Sequence, residues 1–211
     1  MDPEKNVDPG NDETFREDCI PVFFVAAVYS GFFLLTFLGV SNSRPQIQVN
    51  SLSVNNFSVS VSESKLSGDW NIILSIKNPY KDYIISYSSF EVHVSYRKEF
   101  ISGGMIISCF EQAAGEENLL AAGFNHSSAT ISRPSAHEVE EELVGSGAVE
   151  FDVTIHGKIK TFADERSRSR AMHYKISGSC ENLKVGFDTS HTVGTMLKRQ
   201  TPSFCKVRSR S

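Results

Sequence analysis

The side chains able to do chemistry are spread thinly along this chain. Six histidines, His93, His126, His137, His156, His173 and His191, fall in no nucleophile signature. The run His137-Glu138-Val139-Glu140-Glu141 places Glu141 where a zinc-protease motif needs its second histidine, so two imidazoles cannot share one helix face. Ser62-Glu63-Ser64-Lys65 matches a serine-x-x-lysine pattern without its companion motifs. Gly145-Ser146-Gly147 lacks the third glycine and the strand-then-helix setting of a phosphate cradle. Of the four cysteines, Cys19, Cys109, Cys180 and Cys205, no two stand at metal-clamp spacing. Each reads as a buried or free thiol, and spacing alone does not bring Cys109 to Cys180. No convergent acid, base and nucleophile set can be assembled, so no enzyme activity, metal or cofactor is expected.

Charge and modification offer more. Arg166-Ser167-Arg168-Ser169-Arg170 and the later residues Lys198, Arg199, Lys206, Arg208 and Arg210 concentrate cations that attract anionic lipid head groups or acidic polysaccharide. Arg166, Arg168, Arg170, Arg208 and Arg210 are the candidates for anionic-surface binding, against the plainer reading of a solvated loop and tail. Nucleic acid is not expected, because no aromatic side chains interleave with these cations and the charge balance outside the N-terminus is near neutral. Two sequons, Asn56-Phe57-Ser58 and Asn125-His126-Ser127, make Asn56 and Asn125 glycosylation candidates. Cys19 is a lipidation candidate beside an apolar segment.

That apolar segment sets the organisation. Ile20 to Val40 carries no charge, and as a helix it is roughly 30 Å long, the thickness of a bilayer's hydrocarbon core. The flank before it is acidic and the run exceeds a signal-peptide core, so a single transmembrane helix over 20–40 is expected. The sequence then divides into an acidic disordered tail at 1–19, the span, a β-domain at 41–190 and a basic flexible tail at 191–211. Of the 211 residues, those after the span suffice for one domain. Both sequons follow the span, which fits a C-terminal domain outside the cytosol.

Period-two alternation dominates from Ile47 onward. Ile47, Val49, Leu52, Val54, Phe57, Val59 and Val61 alternate with polar residues, and the phase slips at Asn50-Ser51 and Asn55-Asn56 mark bulges or turns. Trp70, Ile72, Leu74 and Ile76 form a second strand, and Phe90, Val92, Val94 and Tyr96 a third. Further strands are predicted at Met105 to Phe110, near Ala129 to Ile131, at Val149 to Ile155 with Ile159, at Met172 to Ile176 and at Leu183 to Phe187. Ser135 with Glu138 reads as a capping box for one short helix, Ala136 to Val144, stopped at Gly145. Its acids read as a solvated face. Recurrent short strands predict an all-β, antiparallel sandwich.

The order of these features resembles the plant late-embryogenesis-abundant type 2 domain, in its membrane-anchored harpin-induced-like or hydroxyproline-rich glycoprotein branch. Lys77-Asn78-Pro79-Tyr80, the strand Ile84 through Tyr96, Phe110-Glu111-Gln112, the basic strand Val149 to Lys160, and Tyr174-Lys175-Ile176 leading to Cys180 carry the likeness. Tyr80 stands where a second asparagine is common, and Ala163 to Arg170 replaces a compact turn. The resemblance implies an immunoglobulin- or fibronectin-III-like sandwich with one short helix, anchored at the plasma membrane with the domain outside, an endomembrane being the alternative. It also implies a role in plant defence or stress response, through protein partners in defence signalling or through wall and membrane components. The alternative is a lipid or hydrophobic-ligand-binding module at the membrane.

Overall fold

In the computed structural model, residues 44–102, 104–107, 109–197 and 204–210 are described, with the backbone alone at 105–107. The expected span at 20–40, the acidic tail and Cys19 lie outside these residues. No helix among the described residues is long and apolar enough to cross a membrane.

Alternation builds long strands: β1 (Gln46–Ser60), β2 (Lys65–Lys77), β3 (Ile84–Tyr96), β4 (Glu99–Phe100), β5 (Met105–Ile107), β6 (Phe110–Gln112) and β7 (Glu117–Thr130). After α1 (Arg133–Ser146) come β8 (Ala148–Phe162), a short 3-10 helix (Glu165–Arg170), β9 (Met172–Phe187), β10 (Gly194–Met196) and β11 (Lys206–Arg210). β1 breaks register between Val49 and Ser51 and again between Asn55 and Ser58, where its hydrophobic phase slips. Each slip keeps the next apolar residue facing inward, so Leu52 and Phe57 stay buried beside Ile47, Val49 and Val54.

Instead of the expected two-sheet sandwich, the strands form one antiparallel path, β4-β3-β8-β9-β10-β1-β2-β7, with β5 and β6 on β3 and β11 on β9. Bulges in β1, β3, β7 and β9 bend the strands, and the path curls into a nearly closed barrel. Met172 to Ile176 and Leu183 to Phe187 belong to one continuous strand, β9, rather than two. Where the sequence suggests a basic flexible tail, the structure places β10 and β11.

The core is aromatic at its centre. Trp70 lies edge-on to Phe57 and Phe151, and Phe187 lies 4.7 Å from Phe57, centroid to centroid. α1 covers part of this core with Ala136, Val139 and Leu143. Its N-cap is Ser132 rather than Ser135, because Pro134 fits the first turn and the Ser132 hydroxyl accepts from the Ser135 N–H. Glu99 of β4 completes the cap by accepting from the Ser132 N–H at 2.6 Å and the Ser135 hydroxyl at 2.8 Å. Gly147, in a left-handed conformation, ends the helix two residues after Gly145.

The two ends of the sheet meet at buried amides. Asn78 and Gln112 are both fully buried. Asn78 Nδ2 donates to the carbonyls of Tyr83 and Ala113 at 2.8 and 2.9 Å, and its Oδ1 accepts from the Tyr80 N–H. Gln112 Nε2 donates to the Ile76 carbonyl at 2.7 Å and to Asn118 Oδ1, and its Oε1 accepts from the buried Tyr87 hydroxyl. Burial pushes the Tyr87 phenol up and keeps it protonated. Replacing Gln112 with Ala leaves the buried Tyr87 hydroxyl without its acceptor and removes the amide's bonds to the Ile76 carbonyl and Asn118, so Gln112→Ala is expected to cost about 2–4 kcal/mol in urea unfolding.

The cysteine reading also changes. Cys180 of β9 is bonded to Cys205, with Cα atoms 4.4 Å apart, whereas Cys109 is an exposed free thiol. The closed loop spans 25 residues of separation. Chain-entropy reasoning gives about 3–4 kcal/mol of stabilisation for a loop of that size. Cys205→Ser is expected to lower the denaturant midpoint accordingly, and dithiothreitol should reproduce the loss in the unmutated chain.

Candidate anion-binding face

Strand alternation decides which charges share a face. Along β8, Val149, Phe151, Val153, Ile155 and Ile159 point into the core, which sends His156, Lys158 and Lys160 outward. On β9, burial of Ile176, Gly178 and Cys180 turns Lys175, Ser177 and Ser179 to the same outer side. β11 pairs with this stretch, so Lys206, Arg208 and Arg210 oppose Ser179, Ser177 and Lys175. Registry with β3 completes two rows across four strands. One row is Ser89, Lys158, Lys175 and Arg210; the next is Glu91, His156, Ser177 and Arg208. Together they line a groove of about 510 Å³.

The local charge is strongly positive, because Glu91 is the one carboxylate lining this groove and it lies 3.6 Å from His93 Nε2. At the neighbouring position Lys206 bonds Glu181 at 2.8 Å, and that ammonium holds the Glu181 carboxyl below its usual range. Like charges directly opposite on paired strands repel, so Lys158, Lys175 and Arg210 work against sheet stability. Such a face can hold an anion.

Of the five arginines named from sequence, the structure brings only Arg208 and Arg210 into this groove. Arg168 is committed elsewhere. Its guanidinium forks onto Glu111 at 2.8 and 3.1 Å, bonds Glu165 at 2.7 and 2.9 Å, and lies 4.7 Å over the Phe162 ring. Asp164 caps this 3-10 turn through a capping box with Ser167. Arg168 therefore works as a clamp between the 3-10 helix and β6, while Arg166 and Arg170 sit on the same short helix. Sequence reasoning omitted Lys158 and Lys175. Their signal was present in the alternation of β8 and β9, but only the strand register sets them side by side.

The sequons also converge. Asn56 occupies the second bulge of β1 with φ of 51°, and its Nδ2 donates to Asp69 Oδ2 at 2.6 Å. His126, within the second sequon, adopts φ of 56° in a bulge of β7 and donates its N–H to Asp69 Oδ1 at 2.5 Å. These two bonds, the His126 N–H foremost, hold the Asp69 carboxyl below its usual range. Asn56 and Asn125 are both exposed. His137 pairs with Glu141 at 3.4 Å on an exposed helix face.

No family model matches the chain. No curated protein matches it either. Among solved structures, the solution structure of a protein described as a candidate late embryogenesis abundant (LEA) protein is similar, with TM-score 0.32 and 14% identity over 78% of this chain and 89% of that one. A crystal structure of a protein from Archaeoglobus fulgidus gives TM-score 0.30 and 11% identity over 64% of this chain and 97% of that one. At these scores neither likeness carries a conclusion about family or role.

The Arg168 clamp yields a pH-dependent expectation. Hydrogen bonding from Arg168 holds the Glu111 carboxyl below its usual range, so the contribution is present at neutral pH and lost as pH falls through that lowered value. Both side chains are more than a third exposed, at 46% and 40%, so solvent screening keeps the loss in Arg168→Ala small at pH 7. The difference between wild type and variant in urea midpoint should shrink when measured below the carboxylate range of about 4.

Proposed function

We propose that this chain is a single-span membrane protein of plant stress or defence response whose β-domain stands outside the cytosol, at the plasma membrane, and works by binding rather than catalysis. The Cys180–Cys205 bond carries the reading, because protein disulfides form and persist in oxidising compartments and are rare in the cytosol. Two further features support it. The apolar run Ile20 to Val40 has the length of a membrane span, and the two exposed sequon asparagines both follow it. The stress and defence component rests on the sequence resemblance described above.

The binding surface in this reading is the cationic outer face of β8, β9 and β11. An acidic wall polysaccharide or an anionic membrane component suits it, and protein partners in defence signalling remain part of the proposal through the sequence resemblance. The groove on this face is lined chiefly by charged and hydroxyl side chains, which favours an anionic ligand over a hydrophobic one.

Topology is tested by deglycosylating the full chain expressed in plant or microsomal membranes. A mobility shift that vanishes in Asn56→Gln/Asn125→Gln, with the domain protected from added protease in sealed vesicles, is the expected result. An unshifted, protease-accessible domain would reverse the placement.

A further inference from the structure

We infer that the face formed by β3, β8, β9 and β11 is the binding site for a linear acidic polysaccharide laid across the strands. This deepens the proposed function and depends on it only for choosing polysaccharide over lipid.

The geometry starts from the register. Lys158, Lys175 and Arg210 stand opposite one another on three adjacent strands, which spaces their Cα atoms by about 5 Å per step. Arg208 lies one row away, about 7 Å along β11. A straight row of cations perpendicular to the strands presents charge at an interval close to the length of one sugar unit. A polymer carrying one carboxylate per sugar can therefore meet several cations without bending. Ser89 and Ser177 lie within the same rows and offer hydroxyls to sugar hydroxyls, which a purely ionic surface would lack.

The energetics point the same way. Three like charges in adjacent cross-strand positions weaken the empty sheet, and a bound polyanion converts that repulsion into attraction. The third column of charge is held there covalently: Cys205 is bonded to Cys180 immediately before β11, and Arg44 Nη1 donates to the Val207 carbonyl at 2.9 Å. No Phe, Tyr or Trp lines the groove for base stacking, which disfavours single-stranded nucleic acid. Anionic lipid is concentrated in the cytoplasmic leaflet, so a domain on the opposite side meets little of it.

The experiment measures binding of polygalacturonate to the full-length chain in neutral detergent micelles, with uncharged dextran as the reference polymer. Wild type should bind polygalacturonate and not dextran, with affinity falling as salt rises. Lys158→Gln/Lys175→Gln should weaken binding about tenfold or more, as expected for losing two cations near a polyanion. Its melting temperature should match or exceed wild type, because the substitutions relieve repulsion. Lys65→Gln/Lys77→Gln removes the same charge from β2 and should leave binding unchanged. Equal weakening in both variants would reduce the effect to net charge and overturn the site, as would wild-type affinity in Lys158→Gln/Lys175→Gln. Phosphatidylserine vesicles that displace the polymer at matched charge would overturn the choice of polysaccharide. Because binding is read in micelles, a cytosolic domain in the glycosylation assay would overturn the topology while leaving this measurement to stand by itself.

Discussion

A sheet curled into a barrel must satisfy its backbone where the two ends of the strand path approach each other, and here two fully buried amides do that work. Asn78 ties the end of β2 to the segment after β6, and Gln112 ties β6 back to the Ile76 carbonyl of β2. Main-chain pairing supports them, with the Asn78 N–H on the Glu116 carbonyl and the Gly115 N–H on the Tyr80 carbonyl. An amide carries both donors and an acceptor, so it can serve carbonyls and N–H groups that no continuous ladder reaches. A hydrophobic replacement would fill the space and strand those groups away from water. The aromatic cluster beside this seam is Tyr87, stacked on Phe110 and hydrogen-bonded through its hydroxyl to Gln112.

The outer face follows a different logic from the core. Interior positions are filled by apolar side chains whose burial stabilises the fold, roughly 1.5–3 kcal/mol for each large one. The outer positions of β8, β9 and β11 instead align cations that repel one another. The fold tolerates this because the cost of exposed like-charge pairs is a few tenths of a kcal/mol each, small beside the burial behind them. Arg168 illustrates the contrast. Its charge is met by two carboxylates and an aromatic face, so it organises a loop instead of remaining available to a ligand.

Much of the strand content was legible because period two is a local property. The bulges of β1 were visible as phase slips, since Leu52 and Phe57 had to return to the buried side. Sheet count was not legible, because whether strands separate into two layers or follow one curled path depends on contacts distant in sequence. The helix start was misplaced by three residues because Glu99, far upstream, completes a cap at Ser132 that local pattern assigns to Ser135. β11 looked like a flexible basic tail because Lys206, Arg208 and Arg210 alternate with only Val207 and Ser209, too little apolar surface to order itself. For the binding face, sequence identified Arg208 and Arg210 but could not join them to Lys158 and Lys175.

The disulfide explains how that weak strand is kept in place. Five residues bearing three cations gain little from burial, and pairing them beside Lys175 and Lys184's strand adds repulsion to the ordering entropy. Bonding Cys205 to Cys180 raises the effective concentration of the strand beside its partner, so a modest set of main-chain hydrogen bonds is enough to hold it. Arg44, at the start of the described domain, contributes from the other side through the Val207 carbonyl. The Cys180–Cys205 bond thus helps hold the basic strand in the sheet, where its cations join those of β8 and β9.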